Sequence, residues 1–117
     1  ILSSRLDSTQ EAARQWGQVV ILKGAFTLVA SPDGLTRLNP FANPALASAG
    51  TGDVLAGIIG GLLAQGLSPL DAATCGVYLH GAAGEKLRHD LGSTGVLASD
   101  LLPEIPRQMK RLIKEKE

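Results

Sequence analysis

The sequence predicts an α/β fold, and three observations carry the prediction. Val19, Val20, Ile21 and Leu22 form a continuous apolar, β-branched run of strand length. Residues 27–38 repeat the strand signal on either side of a Ser31-Pro32-Asp33-Gly34 turn. From Thr51 onward the pattern switches to helix, punctuated by glycine and proline. The resulting β-β-β-α-α-α order suits the trailing half of an α/β domain rather than a complete one. All of residues 1–117 read as one domain fragment, long enough to bury a core. The chain begins at Ile1 rather than Met, on what reads as the end of a longer element, so a processed or excised piece is expected.

Each element has its own local reason. Ser8-Thr9-Gln10-Glu11 matches a capping box and Gly17 a stop, predicting a short helix over residues 8–16. The run 19–22 predicts a strand buried on both faces, ending at Lys23-Gly24. Residues 27–30 predict a second strand, and 35–38 the returning outer strand of a hairpin. Residues 39–48, with Pro40 and Pro44, predict an irregular loop. Between Asp53 and Gly66 the only polar side chain is Gln65, so this helix is expected to be buried nearly all round. Its glycines at 57, 60 and 61 lower helix propensity, and close packing is the expected return. Ser68-Pro69 caps and starts a helix to about Asp90, and residues 92–95 predict a loop. Ser99 is expected to cap a last helix that breaks or restarts near Pro103 and Pro106.

Composition excludes several function classes. The formal charge is zero and only four aromatics occur (Trp16, Phe26, Phe41, Tyr78), which argues against a nucleic-acid partner. The basic cluster over 107–116 reads as the solvated end of the last helix. A single cysteine, Cys75, rules out an intramolecular disulfide and fits a reducing compartment; its apolar helical neighbours predict a buried, inert thiol. The longest apolar run, 54–64, falls well short of the roughly 20 residues of a membrane span, and no signal peptide is visible. A cytoplasmic protein with no membrane partner is expected.

The chemistry concentrates at Gly50-Thr51-Gly52-Asp53. Glycines let backbone N–H groups turn toward a ligand, and the helix that follows favours an anion at its start. A carboxylate beside a bound phosphate repels it, and is useful there mainly if something must lose a proton. The bland alternative is a turn into a core helix whose first-turn carboxylate suits the helix dipole. Lys23 and Gly24, at the end of the first strand, are the second candidate, because open α/β sheets bind ligands at the carboxyl ends of strands. Alone, a lysine marking a strand's exit into solvent explains them equally. His80 shares a helical face with Ala73, Gly76, Val77, Gly84 and Leu87, and reads as a packed core histidine. Glu85 and His89 read as a surface pair, and no metal-ligand spacing identifies a metal site.

Taken together, residues 20–27 and 43–57 resemble the ADP/ATP-dependent NAD(P)H-hydrate dehydratases, above all in Ala49-Gly50-Thr51-Gly52-Asp53-Val54-Leu55-Ala56-Gly57. The resemblance continues through Leu79-His80-Gly81-Ala82-Ala83-Gly84 and Ala98-Ser99-Asp100-Leu101-Leu102, nearly the whole chain. It implies the C-terminal part of a ribokinase-like three-layer α/β/α sandwich. It also implies a metabolite-repair enzyme that phosphorylates the ring hydroxyl of hydrated NADH or NADPH and eliminates phosphate. ADP or ATP would be the phosphoryl donor, with Mg2+ assisting. On that resemblance Lys23, Gly24, Ala25, Phe26, Thr27, Gly50, Thr51 and Gly52 would bind nucleotide. Asp53 would contact substrate and act as general base. A homo-oligomer is implied as well, tetramers being common in such enzymes. Two departures stand out: Ala42 where glycine is common before Asn-Pro, and Phe26 where a smaller or polar residue is usual. The N-terminal half of such a domain is absent from these residues, so the fragment alone is expected to be inactive. A ribokinase-like small-molecule kinase would use the same cradle and base, and a non-catalytic domain would keep only the packing.

Overall fold

The computed structural model of the chain describes residues 2–42 and 49–116, with side chains to residue 114. Its elements are α1 (Leu2–Trp16), β1 (Val20–Leu22), β2 (Leu28–Ala30), β3 (Thr36–Leu38), α2 (Thr51–Ala64), α3 (Pro69–Leu91) and α4 (Ala98–Lys116). The three strands form one antiparallel sheet in the order β1-β2-β3, with Ile21 opposite Val29 and Val29 opposite Arg37. Gly34, at φ 97°, closes the β2–β3 turn with its N–H on the carbonyl of Ser31.

Side-chain alternation on the central strand sorts the layers. Val29 points to one face, into a cluster with Leu55 of α2 and with Ala73 and Val77 of α3. Leu28 and Ala30, wholly buried, point to the other face, where α1 packs on β1 and β2 through buried Thr9 and Ala13. The order is therefore helix, sheet, helix pair. The α4 helix packs on α3 and α2, with Leu101 joining Ala83, Leu87 and Val96 in a second cluster. Where α2 crosses α3, a Cβ on Gly76 would stand 2.6 Å from Ile59 Cγ1, so glycine sets that approach.

Several local expectations are corrected. The α1 helix starts at Leu2, so the Ser8 capping box lies inside it; the amphipathic pattern extends further back than the cap signal suggested. The β1 strand is half-buried, not buried on both faces, because β2 is its only neighbour in the sheet of the described residues. Within α2 only Thr51, Leu55 and Leu62 are buried, and a Cβ on Gly57, Gly60 or Gly61 would meet nothing within 4 Å. One side of that helix packs on α3, β2 and α4; the other faces outward, so its glycines are not explained by packing here. Cys75 is exposed, not buried as its apolar helical neighbours suggested. Residues 43–48 of the loop expected over 39–48 lie outside the described residues.

The last helix runs unbroken through Pro103 and Pro106. The carbonyls left without a donor, those of Ser99 and Leu102, belong to exposed residues, where water replaces the lost bonds. Its start is not capped by Ser99, which lies within it: Asp100 Oδ2 accepts from Leu97 N–H at 2.8 Å, the reciprocal half of a capping box. At α3, in contrast, Ser68 Oγ caps as expected, accepting from Asp71 N–H at 3.2 Å with Pro69 in the first turn.

Candidate active site

The sheet ends where α2 begins. Gly50 takes a left-handed conformation (φ 88°, ψ −9°) that turns the chain into α2, and no side chain caps the helix. At this start the N–H groups of Gly52 and Asp53 have no acceptor within the helix, by position alone. From the opposite side Lys23, one residue past β1, brings its ammonium over the turn: a Cβ on Gly52 would stand 2.7 Å from Lys23 Nζ. The sequence separates Lys23 from Gly52 by a hairpin and a loop, and the fold joins them.

Lys23, Gly24, Ala25, Thr27, Thr51 and Gly52 line one cavity of about 570 Å³. Most of the residues anticipated for nucleotide thus line this one cavity. Phe26 and Gly50 are not on it: the Phe26 ring is exposed, and Gly50 works by turning the backbone. Asp53 is also off it. Its exposed carboxylate borders a second concavity between α2 and α4, with Val54, Gly57, Ile58, Leu102, Ile105 and Pro106. Asp53 thus opens a helix expected to be buried nearly all round, yet its own side chain is exposed; the first turn of α2 divides the two hollows, with Gly52 on one side and Asp53 on the other.

The 23–27 loop is held from three directions. Thr27 Oγ1 donates to the carbonyl of Gly24 at 3.2 Å, and Phe26 N–H donates to the carbonyl of Phe41 at 3.1 Å. Arg5 of α1 donates from Nη1 to the carbonyl of Ala25 at 3.0 Å. Phe26 sits at φ 56°, a region that costs an L-residue roughly 1–2 kcal/mol. More than half of the Phe26 surface is nevertheless covered (44% exposed), so the strain relieved in Phe26→Gly is expected to be offset by the burial lost, leaving stability within about 1 kcal/mol of the wild type. A denaturation midpoint displaced by more than that, in either direction, would contradict this.

His80 is buried, as its neighbours suggested, but it is more than filling. Its Nε2 lies 2.8 Å from the carbonyl oxygen of Thr51, and since a carbonyl only accepts, Nε2 carries the proton. This bond ties α3 to the first residue of α2. Burial pushes the imidazole below its ordinary value; the Thr51 carbonyl pulls it back up and the Lys23 ammonium pushes it down. A lowered folded-state value means that the native state holds the proton less well than the unfolded chain. The stability that His80 contributes is therefore present above the unfolded value and is lost as pH falls through the lowered folded one. Denaturant titrations between about pH 8 and pH 5 should show a steeper loss for the wild type than for His80→Gln. Parallel profiles would refute it.

Asn39, Phe41 and Gly81 also line the cavity and were not singled out from sequence. The available signals were weak: a proline beside Asn39 and a glycine beside His80. Glu85 binds Arg88, and His89 lies 3.4 Å from Asp90; the Arg88 hydrogen bond above all, with the charge of His89 adding to it, holds the Glu85 carboxyl below its ordinary value. Among the described residues no group of three or more His, Cys, Asp or Glu side chains is placed to hold a metal ion. No helix among them is long and apolar enough to cross a membrane.

Comparison with known proteins gives this geometry a context. The family model described as NAD(P)H-hydrate dehydratase matches residues 1–107. A bifunctional NAD(P)H-hydrate repair enzyme of Moorella thermoacetica is 47% identical over the whole chain, which covers 22% of that enzyme. The ADP/ATP-dependent NAD(P)H-hydrate dehydratase of Bacillus subtilis, crystallised with ATP/Mg2+ and soaked with CoA, superimposes with a TM-score of 0.88. It is 41% identical, over 94% of this chain and 41% of its own. A ribokinase-like superfamily protein of Enterococcus faecalis gives a TM-score of 0.80 at 33% identity, over 91% of this chain and 36% of its own. The chain spans between about a fifth and two fifths of the length of these relatives.

Proposed function

This chain belongs to the NAD(P)H-hydrate dehydratase family and has its ribokinase-like fold, and from that premise we propose that it supplies the nucleotide side and the base of such an enzyme. The reaction is nucleotide-dependent dehydration of hydrated NADH or NADPH, with ADP or ATP as phosphoryl donor. The observation that carries the reading is the convergence of Lys23 Nζ and the uncapped, glycine-opened start of α2 on one cavity. Backbone N–H groups at a helix N-terminus with a lysine ammonium above them suit terminal phosphates.

The roles follow from position. Lys23, Gly24, Ala25, Phe26 and Thr27 form the loop that takes the nucleotide; of these Phe26 serves through its backbone, which bonds to Phe41. Gly50, Thr51 and Gly52 form the cradle, whose N–H groups are aimed at charge developing on the transferred phosphoryl group. Asp53, one residue on, removes the proton from the ring hydroxyl, whose oxygen attacks phosphorus. Nucleotide leaves with one phosphate fewer. The C–O bond then breaks with loss of phosphate and of a ring proton, restoring the ring double bond. Among the described residues no three His, Cys, Asp or Glu side chains gather to hold Mg2+; the ion would arrive on the phosphates of the donor.

A cytoplasmic homo-oligomer is part of the same proposal, supported by the single cysteine and by exposed Leu102 and Ile113 on α4. The deciding experiment incubates the full-length gene product with ADP or ATP and hydrated NADH. Recovery of NADH absorbance with equimolar free phosphate is expected. A stable phosphorylated product would instead favour the small-molecule kinase.

A further inference from the structure

One polar atom buried in the cavity wall has no partner. Asn39 Oδ1 is buried, and it is the only buried side-chain N or O among the described residues without a hydrogen bond. Leaving such an atom unmet costs about 1–3 kcal/mol, so its placement is informative. The backbone leaves the side chain little choice of direction. Asn39 N–H donates to the carbonyl of Thr27 at 2.8 Å, which extends the β2–β3 ladder by one pair. By alternation its side chain leaves the sheet on the same face as Arg37, whose guanidinium reaches Thr74 of α3. Asn39 therefore packs against α3 at the edge of the cavity: a Cβ on Gly81 would stand 3.1 Å from Asn39 Nδ2 and 2.5 Å from the Phe41 ring. Phe41 in turn packs against Tyr78, ring centres 5.4 Å apart. This part of the wall combines an aromatic surface with a single unmet acceptor, whereas the part formed by Lys23, Thr51 and Gly52 carries the cation and the helix start.

We propose that Asn39 is a nucleoside-recognition residue: its side-chain carbonyl accepts a hydrogen bond from an N–H or O–H of the nucleotide's adenosine portion. The inference rests on the nucleotide reading above and adds to it a residue and a kind of contact. Two groups on adenosine supply such a donor, the 6-amino group of the base and the ribose hydroxyls. Binding of ADP, of inosine diphosphate (6-oxo in place of 6-amino) and of 2′- and 3′-deoxy-ADP separates them.

Titration calorimetry on the full-length gene product should show ADP affinity reduced about tenfold in Asn39→Leu, a change of the size of one buried hydrogen bond. Wild-type protein should bind inosine diphosphate, or one deoxy analogue, more weakly than ADP, and Asn39→Leu should erase that difference. Loss of discrimination against the 6-oxo analogue identifies the base as donor; loss against a deoxy analogue identifies the ribose. If Asn39→Leu does not fold, Asn39→Ala serves in its place. Equal ADP affinity in variant and wild type overturns the proposal, as does equal wild-type affinity for ADP and all three analogues. Wild-type protein that binds no ADP at all overturns the nucleotide reading itself. ADP binding weakened by Lys23→Ala but not by Asn39→Leu overturns only the role of Asn39.

Discussion

Asp53→Asn in the full-length gene product lowers the rate of NADH recovery by about 10²- to 10⁴-fold, the range for removing a general base. The substitution keeps size and helix propensity close to those of the parent, and among the described residues the carboxylate makes no hydrogen bond or ion pair that holds the fold. Thermal stability is expected to stay near that of the wild type, less a first-turn dipole contribution of about 0.3–1 kcal/mol. Nucleotide affinity is expected to be retained, because Asp53 borders the α2–α4 concavity while the phosphate cradle opens on the other side of the same turn. A loss of rate with intact binding is the signature of a group that acts on the reacting hydroxyl. Unchanged phosphate release would remove Asp53 from the chemistry and leave the non-catalytic reading of the chain.

Lys23→Ala has the opposite signature: nucleotide affinity falls by about 10- to 100-fold, the worth of a charge-assisted contact to phosphate. Lys23 is exposed at the end of β1, so its removal leaves no void and no buried partner, and the melting temperature should hardly move. The wild-type affinity should weaken with added salt, and the variant's less so, since the ammonium interaction is screened. Equal affinity by calorimetry, or equal salt dependence, would place the phosphates elsewhere. The two variants together separate binding from chemistry.

The helical part of the fold was the most legible in sequence where side chains near in the chain decide the outcome. Ser68 and Pro69 set the start of α3 because a hydroxyl acceptor and a fixed φ act within one turn. The Ser31–Gly34 turn was readable for the same reason. Reading failed where distant elements decide. Residues 51–64 are apolar enough for a buried helix, yet α2 turns one side outward, because burial depends on what is packed beside it. Ser99 has the side chain of a cap, but Asp100 does that work from within the helix. The prolines at 103 and 106 do not break α4, since their lost bonds face water.

For the site, the composition and order of residues determined by themselves that an anion cradle followed by one carboxylate stands at the start of a helix. Glycine's backbone freedom and the helix dipole act locally, so the sequence suffices for that. Only the tertiary structure decided which groups meet there. It brought Lys23 over Gly52, tied His80 to Thr51 and set Asn39 against α3 from a strand end. It also put Asp53 on the far side of the turn from the nucleotide wall. Those relations join residues 29 to 42 positions apart in the chain, through a sheet and a helix crossing that no local interaction specifies.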